Sequence, residues 1–295
     1  MHQRLRELGE NAVLERLLSH LSPGCAMLVG PGDDCAVVPR NEQWDTLLKT
    51  DVVVESIHFT PDTPPELIGR KALARAVSDI AAMGGIPEHA LVTLLVHPDR
   101  PVAHVEGVYA GLSALAARFN ISVAGGETSS LPADGMVINV ALTGRVEHGK
   151  AILRTGASPG DILCVSGKLG GSFPSGRHLN FTPRVELARK LLCEGPVPTA
   201  MMDLSDGIAT DLPRLAAASG CSFELWENSI PCHDGCSIQQ ALSDGEDYEL
   251  LLTLTPEAAE ALAPDRALSL TPIGRMLPLH NGVPHLSGGW QHFCA

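Results

Sequence analysis

Aromatic residues are scarce in this 295-residue chain, with three Trp, two Tyr and six Phe. That excludes the rows of stacked rings on which single-stranded nucleic acids are held. Basic residues are also few, 21 Lys and Arg against 34 Asp and Glu, giving a formal net charge of −13. A broad surface for nucleic acid or an anionic membrane is therefore not expected, although phosphorylated small molecules stay open as ligands. Apolar residues make up 44% of the chain, yet no run of them reaches the roughly 18–20 positions of a spanning helix. The polar start Met1-His2-Gln3-Arg4-Leu5-Arg6 lacks a signal-peptide pattern, which predicts a soluble, cytoplasmic protein. Eight scattered cysteines suit a reducing compartment. Cys232-His233-Asp234-Gly235-Cys236 has no second ligand pair at finger-like spacing and reads as a loop, not a zinc site.

What the chain does contain is alternation of helix and strand patterns. Thr63-Pro64-Pro65-Glu66 has the form of a capping box, and the row Ile68, Ala72, Ala76, Ile80 predicts a helix ended by Gly84-Gly85. Asp79 falls in its last turn, where a carboxylate opposes the helix dipole and needs a cation nearby. Val105, Val108, Leu112, Leu115 and Phe119 mark a second helix. Strands are predicted at 46–54, 91–96, 121–124, 136–146, 162–165, 222–226 and 248–254, with further helices near 183–194 and 206–219 and another starting at Thr255. The pattern is that of a layered α/β or α+β protein. A turn-rich joint at 156–161 divides the chain into two domains of similar size, 1–147 and 148–295. Gly144 to Lys150 has phosphate-loop spacing, but Ala151 replaces the metal-binding hydroxyl and Gly156 and Pro159 preclude a long helix, so it reads as a hairpin turn.

Acids recur where a strand or loop meets a helix, often beside glycine, in six blocks: Asp33-Asp34, Asp51, Asp79, Glu127, Asp203 with Asp206, and Glu246-Asp247. One such acid is an ordinary turn or cap residue. Six sites in one chain need a common explanation. Convergent carboxylates repel each other unless a hard cation lies between them, and magnesium accepts oxygen ligands while leaving positions for water and phosphate.

Five ordered blocks carry a resemblance. Val29-Gly30-Pro31-Gly32-Asp33-Asp34, Lys49-Thr50-Asp51 through His58-Phe59, Lys71-Ala72-Leu73 through Ser78-Asp79-Ile80-Ala81-Ala82-Met83-Gly84, Asp203-Leu204-Ser205-Asp206-Gly207, and Gly245-Glu246-Asp247-Tyr248-Glu249-Leu250 resemble the thiamine-monophosphate kinase family of the aminoimidazole ribonucleotide synthetase-like superfamily. The resemblance implies that superfamily's two-domain fold, with an N-terminal sheet pairing across a homodimer. It implies magnesium-dependent transfer of the ATP γ-phosphoryl group to thiamine monophosphate, giving thiamine diphosphate and ADP. By the same resemblance, Asp34, Thr50, Asp51, Asp79, Asp203 and Asp206 match metal positions, Asp51 and Asp206 also being the catalytic candidates. Gly126, Arg154 and Ser205 match ATP positions; His58, Glu246 and Trp290 match the thiamine phosphate pocket. Glu127 stands where the family has Asp as a metal ligand, Lys49 replaces a small hydroxyl residue, and the segment after Gly176 is short. These departures bear on metal number and acceptor identity. They keep open a superfamily enzyme with another phosphorylated or carboxylated acceptor, or a silent nucleotide-binding paralogue.

Overall fold

Strict alternation builds the first sheet. In the computed structural model, which describes residues 4–21, 26–262, 270–280, 282–290 and 292, short helices α1 (Leu5–Leu8) and α2 (Glu10–Leu18) precede β1 (Ala36–Pro39) and β2 (Trp44–Val54). Helix α3 (Pro65–Ala82), β3 (Ile86–Val96), α4 (Val102–Arg118), β4 (Ser122–Ser130) and β5 (Met136–Glu147) follow. The strand order is β1-β2-β5-β3-β4, with only the β3–β4 pair parallel. On β5 every second residue from Met136 to Val146 is buried, and these side chains meet Ala72, Ala76 and Ile80 of α3. Each methylene buried there contributes about 0.8 kcal/mol. The opposite face is left open, with Leu48, Val52 and Leu91 exposed.

The second half contains β6 (Ile162–Val165), α5 (Ser172–Ser175), α6 (Arg177–Asn180), α7 (Val185–Cys193), β7 (Ala200–Asp203), α8 (Ile208–Ala218) and β8 (Cys221–Leu225). It continues through α9 (Ile238–Ser243), β9 (Leu250–Leu254), α10 (Pro256–Leu262) and β10 (Thr271–Pro278). Its antiparallel sheet runs β7-β9-β6-β10-β8. Both faces are covered. Met201, Leu250 and Leu252 join α3 and α7 in one core, while Met202, Leu163 and Leu251 join α8 in another. Strands β7 and β9 are therefore buried throughout. Among the described residues, no helix is long and apolar enough to cross a membrane.

Several local expectations are corrected. Thr63 does not cap α3. Pro64 is the N-cap, and the Thr63 hydroxyl accepts a hydrogen bond from the Thr60 amide at 3.1 Å. The tandem prolines remove amides that would otherwise need a cap. Gly125-Gly126-Glu127-Thr128 lies inside β4, not at a strand end. The segment from Gly144 finishes β5 and leaves the sheet; β6 pairs with β9 and β10, so there is no hairpin.

Candidate active site

Lys71, Arg75, Ser78 and Asp79 recur on α3 at spacings of four, three and one, so they share one face of the helix. The C-terminal part of that face meets Asp34, in the bend before β1, and Asp203, the last residue of β7. Asp34, Asp79 and Asp203 are buried and bring carboxylate oxygens within 4.8 Å of one another. Lys49 Nζ donates to Asp79 Oδ1 at 2.7 Å, supplying the cation that the last turn of α3 needs. Arg154 forms an ion pair with Asp34, and Ser78 Oγ donates to Asp203 Oδ2 at 2.6 Å. Burial pushes Asp79 well above the usual carboxylate range against the pull of Lys49. Burial, then the nearby Asp34 charge, raises Asp203 to about 6. Asp34 Oδ2 is buried without a hydrogen-bond partner. A set of hard oxygen donors with one acceptor unmet fits magnesium.

The Asp203-Leu204-Ser205-Asp206-Gly207 loop, between β7 and α8, leads from this cluster to a cavity of about 240 Å³. His58, Arg75, Ser205, Asp206, Glu246 and Trp290 line it. Backbone φ is positive at Gly245 (67°), Glu246 (57°) and Tyr248 (52°), so the Glu246 corner holds strain away from glycine. What fixes it is Lys71. Its fully buried ammonium pairs with Glu246 and donates to the His58 carbonyl at 2.5 Å, with His178 Nδ1 2.7 Å away. Burial opposes the Glu246 charge, but His178, Lys71 and Arg75 outweigh it and hold the carboxyl at about 2. Burial lowers Lys71 to about 8 against the attraction of Glu246, so both partners carry charge at neutral pH. His58 Nδ1 accepts from the Val54 amide at 3.0 Å, and burial, then Arg75, lowers its pKa to about 4. The ring is neutral. Half-exposed Trp290 closes the cavity, anchored by its amide to the Asp206 carbonyl at 2.9 Å.

Other expected metal residues stand apart from the cluster. Asp51 shares the inner face of β2 with Lys49, yet its carboxylate pairs with Arg75 Nε at 3.1 Å. Asp206 pairs with Arg214 at 2.5 Å on the cavity side of its loop. Thr50 alternates onto the open face of the sheet and bonds Asn139 at 3.0 Å. The register pairs Glu127 with Thr93 and Thr93 with Asn139, so Glu127 also belongs to the open face. Gly126 lies against β3, where any Cβ would overlap the Val92 carbonyl. The sequence reading assigned no role to Lys71, Arg75, His178 or Tyr248. The available signal was a basic pair four apart beside the apolar row of α3.

Residues 32–146 match the family model for the AIR synthase related protein, N-terminal domain. The thiamine-monophosphate kinase of Bacillus subtilis (strain 168) is 35% identical, over 84% of this chain and 84% of its own. That of Aquifex aeolicus (strain VF5) is 31% identical, over 98% of this chain and 100% of its own. A solved structure of AaThiL complexed with AMPPCP and TMP superposes with a TM-score of 0.87 at 31% identity, covering 99% of each chain.

Proposed function

The chain belongs to the thiamine-monophosphate kinase family, and from that membership we propose how its residues divide the ATP-dependent phosphorylation of thiamine monophosphate. One observation carries the division: the oxygen cluster of Asp34, Asp79 and Asp203 and the cavity of His58, Glu246 and Trp290 are joined by a single loop and a single helix face. The cluster suits the triphosphate end of the nucleotide, and the cavity suits the acceptor.

The acceptor needs no strong base. A phosphate monoester loses its second proton near pH 6 and is already a nucleophile at neutral pH. The protein's work is to align two anions and balance the charge of the group in transfer. Arg154, beside Asp34, offers forked donors to phosphate. Ser205 and the Gly126 backbone are the further nucleotide contacts we assign, by the resemblance of their motifs. When bound, magnesium would screen the phosphates, with its carboxylate ligands drawn from the cluster that Asp34 and Asp203 form beside Asp79. In the cavity, Trp290 presents a flat ring to a flat heterocycle, neutral His58 avoids repelling its positive charge, and ionised Glu246 attracts it. Asp206 and Asp51, each tied to an arginine, position the cavity wall around these groups.

The open face of the first sheet supports a homodimer formed through Leu48, Val52 and Leu91. In it, Thr50 and Glu127 would serve the subunit interface and the adjoining site. Placing the domain boundary between 147 and 148 follows the end of β5, and a cytoplasmic location follows from the site's use of ATP.

The test is ADP release by the purified chain with ATP, magnesium and thiamine monophosphate, run beside a panel of other phosphorylated acceptors. Release that is specific to thiamine monophosphate is expected. Release with another acceptor alone, or nucleotide binding without release, would overturn the acceptor assignment. Light scattering on the wild type and on Leu91→Glu checks the dimer, the variant being expected to show the mass of a monomer.

A further inference from the structure

Two basic side chains already sit on the three-carboxylate cluster. Arg154 takes Asp34, and Lys49 takes Asp79 at 2.7 Å. The two are not equivalent. Arg154 leaves one oxygen of Asp34 buried and without a partner, so Asp34 keeps a lone pair for an ion. Lys49 enters from the inner face of β2, with a side chain only 22% exposed against one of 9% for Asp79. Its ammonium reaches Asp79 Oδ1 from the sheet side, while Asp203 of the same cluster takes its hydrogen bond from Ser78.

Geometry limits where an ion can sit. Lys49 Nζ lies 2.7 Å from Asp79 Oδ1, against a carboxylate that an ion would otherwise share with Asp34 and Asp203. An ammonium and a divalent ion cannot occupy the same side of Asp79, because at about 3 Å they would repel strongly in a site of reduced dielectric.

We propose that Lys49 is a built-in counter-cation that holds Asp79 out of metal coordination, so that the site takes its divalent ion through Asp34 and Asp203 and binds one ion fewer than three converging carboxylates would otherwise accept. This rests on the kinase reading above, and it makes Lys49 a positioning residue that sets the cation count. Substituting a short hydroxyl side chain would free Asp79 as a ligand and open a further position.

The experiment counts Mn²⁺ bound to metal-stripped full-length protein, saturated with a non-hydrolysable ATP analogue, by the electron paramagnetic resonance signal of the free ion. Lys49→Ser is expected to bind one more Mn²⁺ per chain than wild type, while Lys49→Arg keeps the wild-type number. An equal number in Lys49→Ser and wild type overturns the proposal, including the case in which Lys49 swings away from Asp79 to contact phosphate. Should Lys49→Ser fail to fold, Asp79→Asn decides: an unchanged Mn²⁺ count supports the proposal, and a lower count overturns it. Absence of Mn²⁺ binding by the wild type would instead defeat the metal site itself, a result distinct from equal counts in both proteins.

Discussion

Around Asp34, Asp79 and Asp203, like charges crowd together in a buried place and one oxygen is left without a partner. Around Glu246 a less deeply buried carboxylate is met by a buried lysine, a histidine and a tyrosine hydroxyl. Their titration separates accordingly, with Asp203 raised to about 6 and Glu246 held at about 2. The difference shows what each region is prepared to receive. The first is incomplete without an added cation, whereas the second is complete and offers a preset shape and charge.

The largest expected effect comes from breaking the second region. Lys71→Met leaves the largely buried Glu246 without the lysine that faces it, which costs about 3 kcal/mol of stability, read from denaturant unfolding. Lys71→Arg would recover part of it. The matching change in the first region behaves the opposite way. Asp203→Asn is expected to lower turnover about 100-fold or more, a barrier change of about 3 kcal/mol, while leaving the metal-free protein no less stable than wild type. A fall in stability comparable to that of Lys71→Met would erase the contrast.

These expectations depend on features that were unevenly legible in the sequence. Helix α3 could be read from Ile68, Ala72, Ala76 and Ile80, and β2 and β5 from alternation, because each has one wet face. Strands β7 and β10 could not. Ala200–Asp203 is four residues long and buried on both faces, so it has no period, and β10 carries Pro272 and Gly274 at a register shift. The meeting of Asp34, Asp79 and Asp203 came from family resemblance, since nothing in their local patterns links positions so far apart. Alternation along β2 did contain one unused lesson. If Lys49 and Asp51 face inward, Thr50 must face outward.

A smaller effect sharpens the comparison through pH. His58 is depressed to about 4 in the folded protein, while an unfolded histidine takes its proton near 6.5. Between those values the unfolded state binds more protons, so stability is present above about 6.5 and is lost as pH falls toward 4. The loss from this one residue is on the order of 2 kcal/mol. It appears as the difference in unfolding free energy between wild type and His58→Asn measured at pH 7 and pH 4.5, and parallel curves would contradict it. The smallest effect belongs to Trp290→Ala. Because the indole is half exposed, its removal is expected to raise the acceptor KM about 10-fold, worth about 1.4 kcal/mol, with the ATP KM and the stability nearly unchanged.

Helix α3 carries Lys71 for the cavity and Asp79 for the oxygen cluster. Eight residues of rise at about 1.5 Å each put their Cα atoms about 12 Å apart along the axis. The helix is thus a ruler with both marks cut on the same edge. A single alanine inserted after Ala74 would lengthen it little, yet would turn one mark about 100° away from the other. The core row Ala72, Ala76 and Ile80 would be turned out of line by the same step, so the common orientation of the two marks is tied to the packing of α3 itself.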